Sequence, residues 1–219
     1  MKFSTYPLPS SWTKSSIAIF TILLFHTAGL PFIIYEGTRS LFLSFTPFTL
    51  TLSACLLLWN HKDWSPSLLL FALTSAIGGF GIEVIGVQTG ILFGSYEYGS
   101  VLGWKFLGVP LVIGVNWLMC SYCCGVLANR FVGLNDLIKA FMGASLMVLL
   151  DVVIEPVAIK MDFWQWQNNH IPLWNYGTWF IASFALLLLF QKLSFNKQNP
   201  VASVLYLTLF LFFAILNFV

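Results

Sequence analysis

The chain has 219 residues, of which 58% are hydrophobic and 8% charged, and a mean hydropathy of +0.86. Soluble domains carry about 25% charged residues, so ten basic and eight acidic side chains cannot clothe a 24.6 kDa globule in water. The net charge of +2 forms no basic patch, which excludes a nucleic-acid partner together with a secreted or cytosolic protein, and leaves the bilayer as solvent.

A bilayer core about 30 Å thick takes about 20 apolar residues at 1.5 Å rise each. Windows of that length predict spans over 15–34, 41–59, 66–87, 106–127, 134–159, 173–190 and 200–218. The first is span-length, and no small-x-small cleavage site follows before Pro31, so it is expected to stay as a helix. All seven runs are continuously apolar, without the alternation of a barrel strand, and are therefore expected to be helical. The longest connections, 88–105 and 160–172, leave no room for a soluble domain, and no internal repeat is visible. The expectation is an all-α integral membrane protein, 1–219 as a single transmembrane domain. It is a bundle of about seven transmembrane helices, multi-pass in the cell membrane. Lys2, Lys14, Lys62, Arg130, Lys139, Lys192 and Lys197 fall on one side, and Arg39, Lys105 and Lys160 on the other. The excess of positive charge places the N-terminus in the cytoplasm and the C-terminus outside.

The acids sort as sharply. Asp63 and Asp136 lie beside Lys62 and Lys139, whereas Glu36, Glu83, Glu97, Asp151, Glu155 and Asp162 lie at or just inside the opposite face. By helix rise Glu83 sits about 6 Å deep, and Asp151 and Glu155 about 12 and 6 Å deep. The i,i+4 spacing of Asp151 and Glu155 puts both on one helix face. Repulsion and low dielectric disfavour two charges there, so one of them is expected to hold a proton and serve as a general acid. Gly79, Glu83, Gly86 and Gly90 form a stripe of small residues around one acid, which permits close packing. Gly143 or Ala144, Met147, Asp151 and Glu155 share a face, Pro156 frees the Val152 carbonyl, and Asn116 and Cys120 add a polar stripe. The bland alternative is structural: acids paired with Asn, Tyr or Trp donors inside the bundle.

The two long connections read QTGILFGSYEYGSVLGWK and KMDFWQWQNNHIP. Tyr96, Tyr98, Trp164, Trp166, Trp174, Tyr176 and Trp179 gather there, as a headgroup belt or as pocket walls able to stabilise a cation. Cys120, Cys123 and Cys124 lack a partner His or a second CxxC, so they read as packing residues, not as a zinc site. His26, His61 and His170 are too scattered for a di-metal site. No metal is expected, nor any cofactor: Walker and GxGxxG motifs are missing, and the seventh window has no Lys for a retinal Schiff base.

An ordered series of motifs runs through about 78–180. It comprises Gly79-Phe80, Glu83, Gly86-Val87, Thr89-Gly90, Phe93-Gly94-x-Tyr96-x-Tyr98, Leu102-Gly103-x-Lys105, Gly108-Val109-Pro110 and Asn116-Trp117. Asp151-x-x-x-Glu155-Pro156-Val157-Ala158, Phe163-Trp164-x-Trp166 and Ile171-Pro172-x-x-Asn175-Tyr176-x-x-Trp179-Phe180 complete it. In these the chain resembles the membrane-bound carotenoid hydratases of the CruF type. The resemblance implies addition of water across the terminal C1–C2 double bond of an acyclic, lipid-dissolved carotenoid, without cofactor, beside other carotenoid-pathway enzymes. The chemistry suggests Asp151 as proton donor and Glu155 or Glu83 as the water-orienting base. Asn116, Tyr96, Asn175 and Tyr176 would supply hydrogen bonds, and Tyr98, Trp164, Trp166 and Trp179 aromatic walls. Two other readings fit the same acids: a lycopene-cyclase-like enzyme, and a proton-coupled carrier.

Overall fold

The computed structural model describes residues 13–167 and 170–219; Lys2 lies outside the described residues. Helix α1 (Lys14–Ile34) starts where Thr13 accepts from the Ser16 amide. Helices α2 (Glu36–Leu43) and α3 (Thr46–Trp59) follow, bent by 53° at their junction. Ser65 caps α4 (Pro66–Leu73), with Pro66 at the first helical position, where its missing N–H costs nothing. A π turn (Thr74–Gly78) joins α4 to α5 (Gly79–Thr89), which Gly90 ends in the left-handed region at φ 66. Helices α6 (Val112–Asn129), α7 (Asp136–Lys160), α8 (Leu173–Lys192) and α9 (Pro200–Leu216) complete the bundle.

The protein is therefore mostly helical, with helices built to cross a membrane. Among the described residues five are long and apolar enough: α1, α4 through α5, α6, α7 and α8. The α2–α3 pair makes a sixth if its two arms are one broken span, and the apolar α9 is shorter, at 17 residues. The window at 106–127 becomes helical only at Val112. Ahead of it, strands β2 (Lys105–Phe106) and β3 (Val109–Pro110) form a hairpin around Leu107 and Gly108, both at positive φ. That two-residue turn suits hairpin twist and is incompatible with a helix.

Helix α6 is the axis of the bundle. Trp117, Met119, Tyr122 and Cys124 on it are fully buried, and α3, α5, α7, α8 and α9 pack around it. The outer helices turn Phe20, Leu69, Ile77, Phe141, Ile181 and Leu211 outward, as lipid requires. Polar ties hold both ends. At one, Ser15 donates to Asn60 at 3.0 Å, Asn199 to the Leu57 carbonyl at 2.9 Å, and Lys192 to Asp136 at 2.9 Å. At the other, Asn217 donates to the Val153 carbonyl at 2.7 Å and Thr178 to the Leu92 carbonyl at 2.5 Å.

The 88–105 and 160–172 connections are not irregular loops throughout. Strands β1 (Tyr96–Tyr98) and β4 (Trp164–Trp166) pair antiparallel, with Tyr96 opposite Trp166 and Tyr98 opposite Trp164. Side chains alternate across a strand, so these four rings share one face while Glu97 and Gln165 share the other. The ladder is extended by Gly99 to the Phe163 carbonyl and Gln167 to the Ser95 carbonyl, each 2.9 Å.

Candidate active site

Of the six acids at this end, Glu36, Glu97 and Asp162 are exposed, and Glu83, Asp151 and Glu155 are buried. The buried three line one cavity, reached from α5 and α7. Their partners differ. Glu83 accepts from Tyr96 Oη at 2.5 Å and Tyr98 Oη at 2.9 Å on Oε2, and from Trp117 Nε1 at 3.0 Å on Oε1. Glu155 Oε2 accepts from Trp164 Nε1 at 3.0 Å and Trp166 Nε1 at 2.9 Å. Asp151 has a single long donor among the described residues, Asn175 Nδ2 at 3.5 Å, a distance at which a hydrogen bond is weak.

The β1–β4 ribbon accounts for this pattern. Tyr96 and Tyr98 reach down to Glu83, and Trp164 and Trp166 to Glu155, so one two-stranded lid delivers four donors to two acids. Burial, then the Glu83 charge, push Tyr96 and Tyr98 well above the ordinary phenol value. Both therefore stay protonated donors at any working pH. Beneath the lid Trp117 and Trp179 stack with centroids 4.3 Å apart and planes 1° from parallel. Phe93 and Phe163 close the sides. About 90 Å³ of open space remains, room for a few waters or a small end group.

Two of the glycines in the stripe on α5 face aromatic rings. A Cβ on Gly79 would stand 2.3 Å from Trp117 Cγ, and one on Gly86 would stand 2.5 Å from Phe93 Cδ2. The small residues thus admit the indole that bonds Glu83. The chain here is built to hold carboxyls in an aromatic, largely apolar chamber.

The acids, Asn116, Asn175 and the aromatic candidates read from the sequence line this cavity, except Trp174, which is exposed, and Tyr176, which is half-buried on α8. Asn116 does so beside Cys120, whose Sγ lies 3.5 Å from its Oδ1. Cys123 and Cys124 are packed in the core.

The sequence pattern of the carotenoid biosynthesis protein family matches residues 38–219. The chain belongs to this family. The resemblance read from its motifs is thus borne out, and the match includes every acid of the site. The chain is 28% identical over 163 residues to bisanhydrobacterioruberin hydratase of Haloarcula japonica. The alignment covers 68% of this chain and 53% of that protein, so the chain spans about half the length of its relative. No solved structure matches.

Trp117 lines the cavity and donates to Glu83, and sequence reasoning gave it no role, although it follows Asn116 in the motif series. A signal existed: an indole N–H within an apolar span must find an acceptor. Phe213 and Leu209 of α9 and Thr46 and Leu50 of α3 also line the cavity, from elements that carried little of the motif series.

Proposed function

We propose that this member of the carotenoid biosynthesis family is a carotenoid hydratase. It would act on the terminal C1–C2 double bond of an acyclic end group, as a cofactor-independent hydro-lyase running toward addition. The observation that carries the reading is the convergence of three buried carboxyls on one aromatic-walled cavity, in a chain similar to a hydratase.

The difference in hydrogen bonding suggests a division of labour. Asp151, the least satisfied acid, gives its proton to C2 and leaves a tertiary cation at C1. The stacked Trp117 and Trp179 faces, with Tyr96 and Trp166, stabilise that cation. Water adds at C1 and yields a proton to Glu155, whose Oε1 carries no described donor. That proton returns to Asp151 four residues away, so the net change is one water added. Glu83, with donors on both oxygens, is better suited to a fixed counter-charge than to a base.

We further read the chain as one transmembrane domain with seven crossings of the cell membrane, counting α2–α3 and α9 as one each. The acid pocket lies toward the outer face, with the N-terminus cytoplasmic. Other enzymes of the pathway would supply and consume the lipid-dissolved carotenoid.

The test is expression in hosts accumulating lycopene or γ-carotene, with chromatography and mass detection. A product one water heavier is expected. An isomer of unchanged mass would assign a cyclase instead, and unaltered pigment in both hosts would end the enzymatic reading.

A further inference from the structure

A second cavity, of about 560 Å³, lies between α1, the α2–α3 bend, the end of α7 and α9. It shares Thr46, Leu50, Phe163, Leu209 and Phe213 with the acid pocket, so the two are adjoining rooms with a common wall. Its lining is almost wholly hydrocarbon and phenyl. Two of its few polar side chains are turned to the backbone: Thr49 Oγ1 donates to the Phe45 carbonyl at 3.1 Å, and His26 Nδ1 bonds the Ile22 carbonyl at 2.8 Å.

The outer side of this chamber faces lipid. Leu24, Phe25, Phe32, Phe45 and Phe48 line it and are each 41% to 55% exposed. Phe25 and Phe48 stand 6.0 Å apart across the mouth, between α1 and α3, and Phe32 stacks on Phe42 at 4.2 Å. The break at Ser44 and Phe45 bends α3 by 53° against α2, an irregularity that membrane helices tolerate where they line a cavity.

The acid pocket has room for an end group and not for a long chain. We propose that the second chamber is its polyene channel. The conjugated chain lies between α1, α3 and α9, its end group passes Leu50 and Phe213 to the acids, and it arrives sideways from the lipid between α1 and α3. This rests on the carotenoid reading of the acid pocket. A polyene leaving lipid tails gains no hydrophobic driving force, so the channel selects by shape and dispersion contact. A ring inserted into it should therefore be felt.

Gly29 is the place to insert one. It lines the chamber, and a Cβ added there meets nothing within 4 Å. The probe is lycopene, added to purified protein in lipid nanodiscs, and the readout is the circular dichroism induced in its visible band. Asp151→Asn, which holds substrate without turnover, should show the band. Adding Gly29→Phe should weaken binding at least about tenfold by occupying the channel. Gly29→Phe alone should keep the parent's helical content and the near-ultraviolet circular dichroism of the Trp117–Trp179 stack, so that a lost band reports the filled channel and not a disturbed acid pocket. A second variant adds the bulk after folding: Gly29→Cys in a background free of Cys55, Cys120, Cys123 and Cys124, tagged with a hexyl thiosulfonate, should lose the band on tagging. A band unchanged by both bulky groups, or no band in Asp151→Asn, overturns the channel. The two readings fail separately. A band lost on filling, with no hydrated product from the wild type, removes the hydratase and keeps the channel. Hydrated product insensitive to the filling does the reverse.

Discussion

Asp151 and Glu155 are one helical turn apart on the same chain, yet their oxygens meet different surroundings. Two indoles hold Glu155, and one distant amide touches Asp151. This contrast assigns the roles proposed above, and single substitutions test it. Asp151→Asn and Glu155→Gln should each reduce hydration by about 10²–10⁴-fold, the usual worth of a positioned acid or base, while helical circular dichroism is unchanged. Wild-type turnover in either would move the chemistry elsewhere. Tyr98→Phe removes one of the donors to Glu83 and should slow turnover about tenfold, since bonds to a charged group are the stronger kind. Because both phenols stay protonated, no alkaline limb in the pH–rate profile should be assignable to Tyr96 or Tyr98, and Tyr98→Phe should leave the profile's shape unaltered. At this scale the acids were legible because a carboxyl within an apolar run is costly and so conspicuous. Tyr96 and Asn175 were read as hydrogen-bonding residues, but which acid each donor meets was not legible, and Trp117, 34 positions from Glu83, was not read as a donor.

Among the elements, the β1–β4 ribbon and α5 determine whether those donors arrive. Gly99 is wedged into the ribbon's end: a Cβ there would stand 2.0 Å from the Asp162 carbonyl. Gly99→Ala should therefore misplace the ribbon and cost most of the hydration activity, with the helical content intact. Gly79→Ala sets a methyl against Trp117 in the same way, and overpacking of this kind costs about 1–3 kcal/mol. Its signature should be a changed near-ultraviolet circular dichroism as the Trp117–Trp179 stack is disturbed. Normal spectra and activity in Gly79→Ala would show that α5 can move away. The Tyr-x-Tyr and Trp-x-Trp spacings carry the period of a strand, so the ribbon had a trace in the sequence. Each segment is three residues long, and such short alternation acquires meaning only when a partner strand is brought alongside.

For the whole molecule, the proposed orientation makes a topological prediction. In a background free of Cys55, Cys120, Cys123 and Cys124, a cysteine at Glu97 should react with an impermeant maleimide added to intact cells, and one at Lys139 should not. The opposite pattern would invert the protein. The sequence by itself determined the solvent, the helical class, the segregation of acids to one end and the family, because each follows from local composition, spacing or ordered motifs. Tertiary structure decided the rest. It bent α2 against α3, replaced the start of one window by a hairpin, stacked two indoles from α6 and α8, and set an apolar chamber against the acid pocket. These depend on which distant side chains meet. In a chain apolar on nearly all sides, every helix face satisfies lipid equally well, so hydropathy cannot tell the packed face from the exposed one. Close packing and the need to satisfy buried polar groups make that choice.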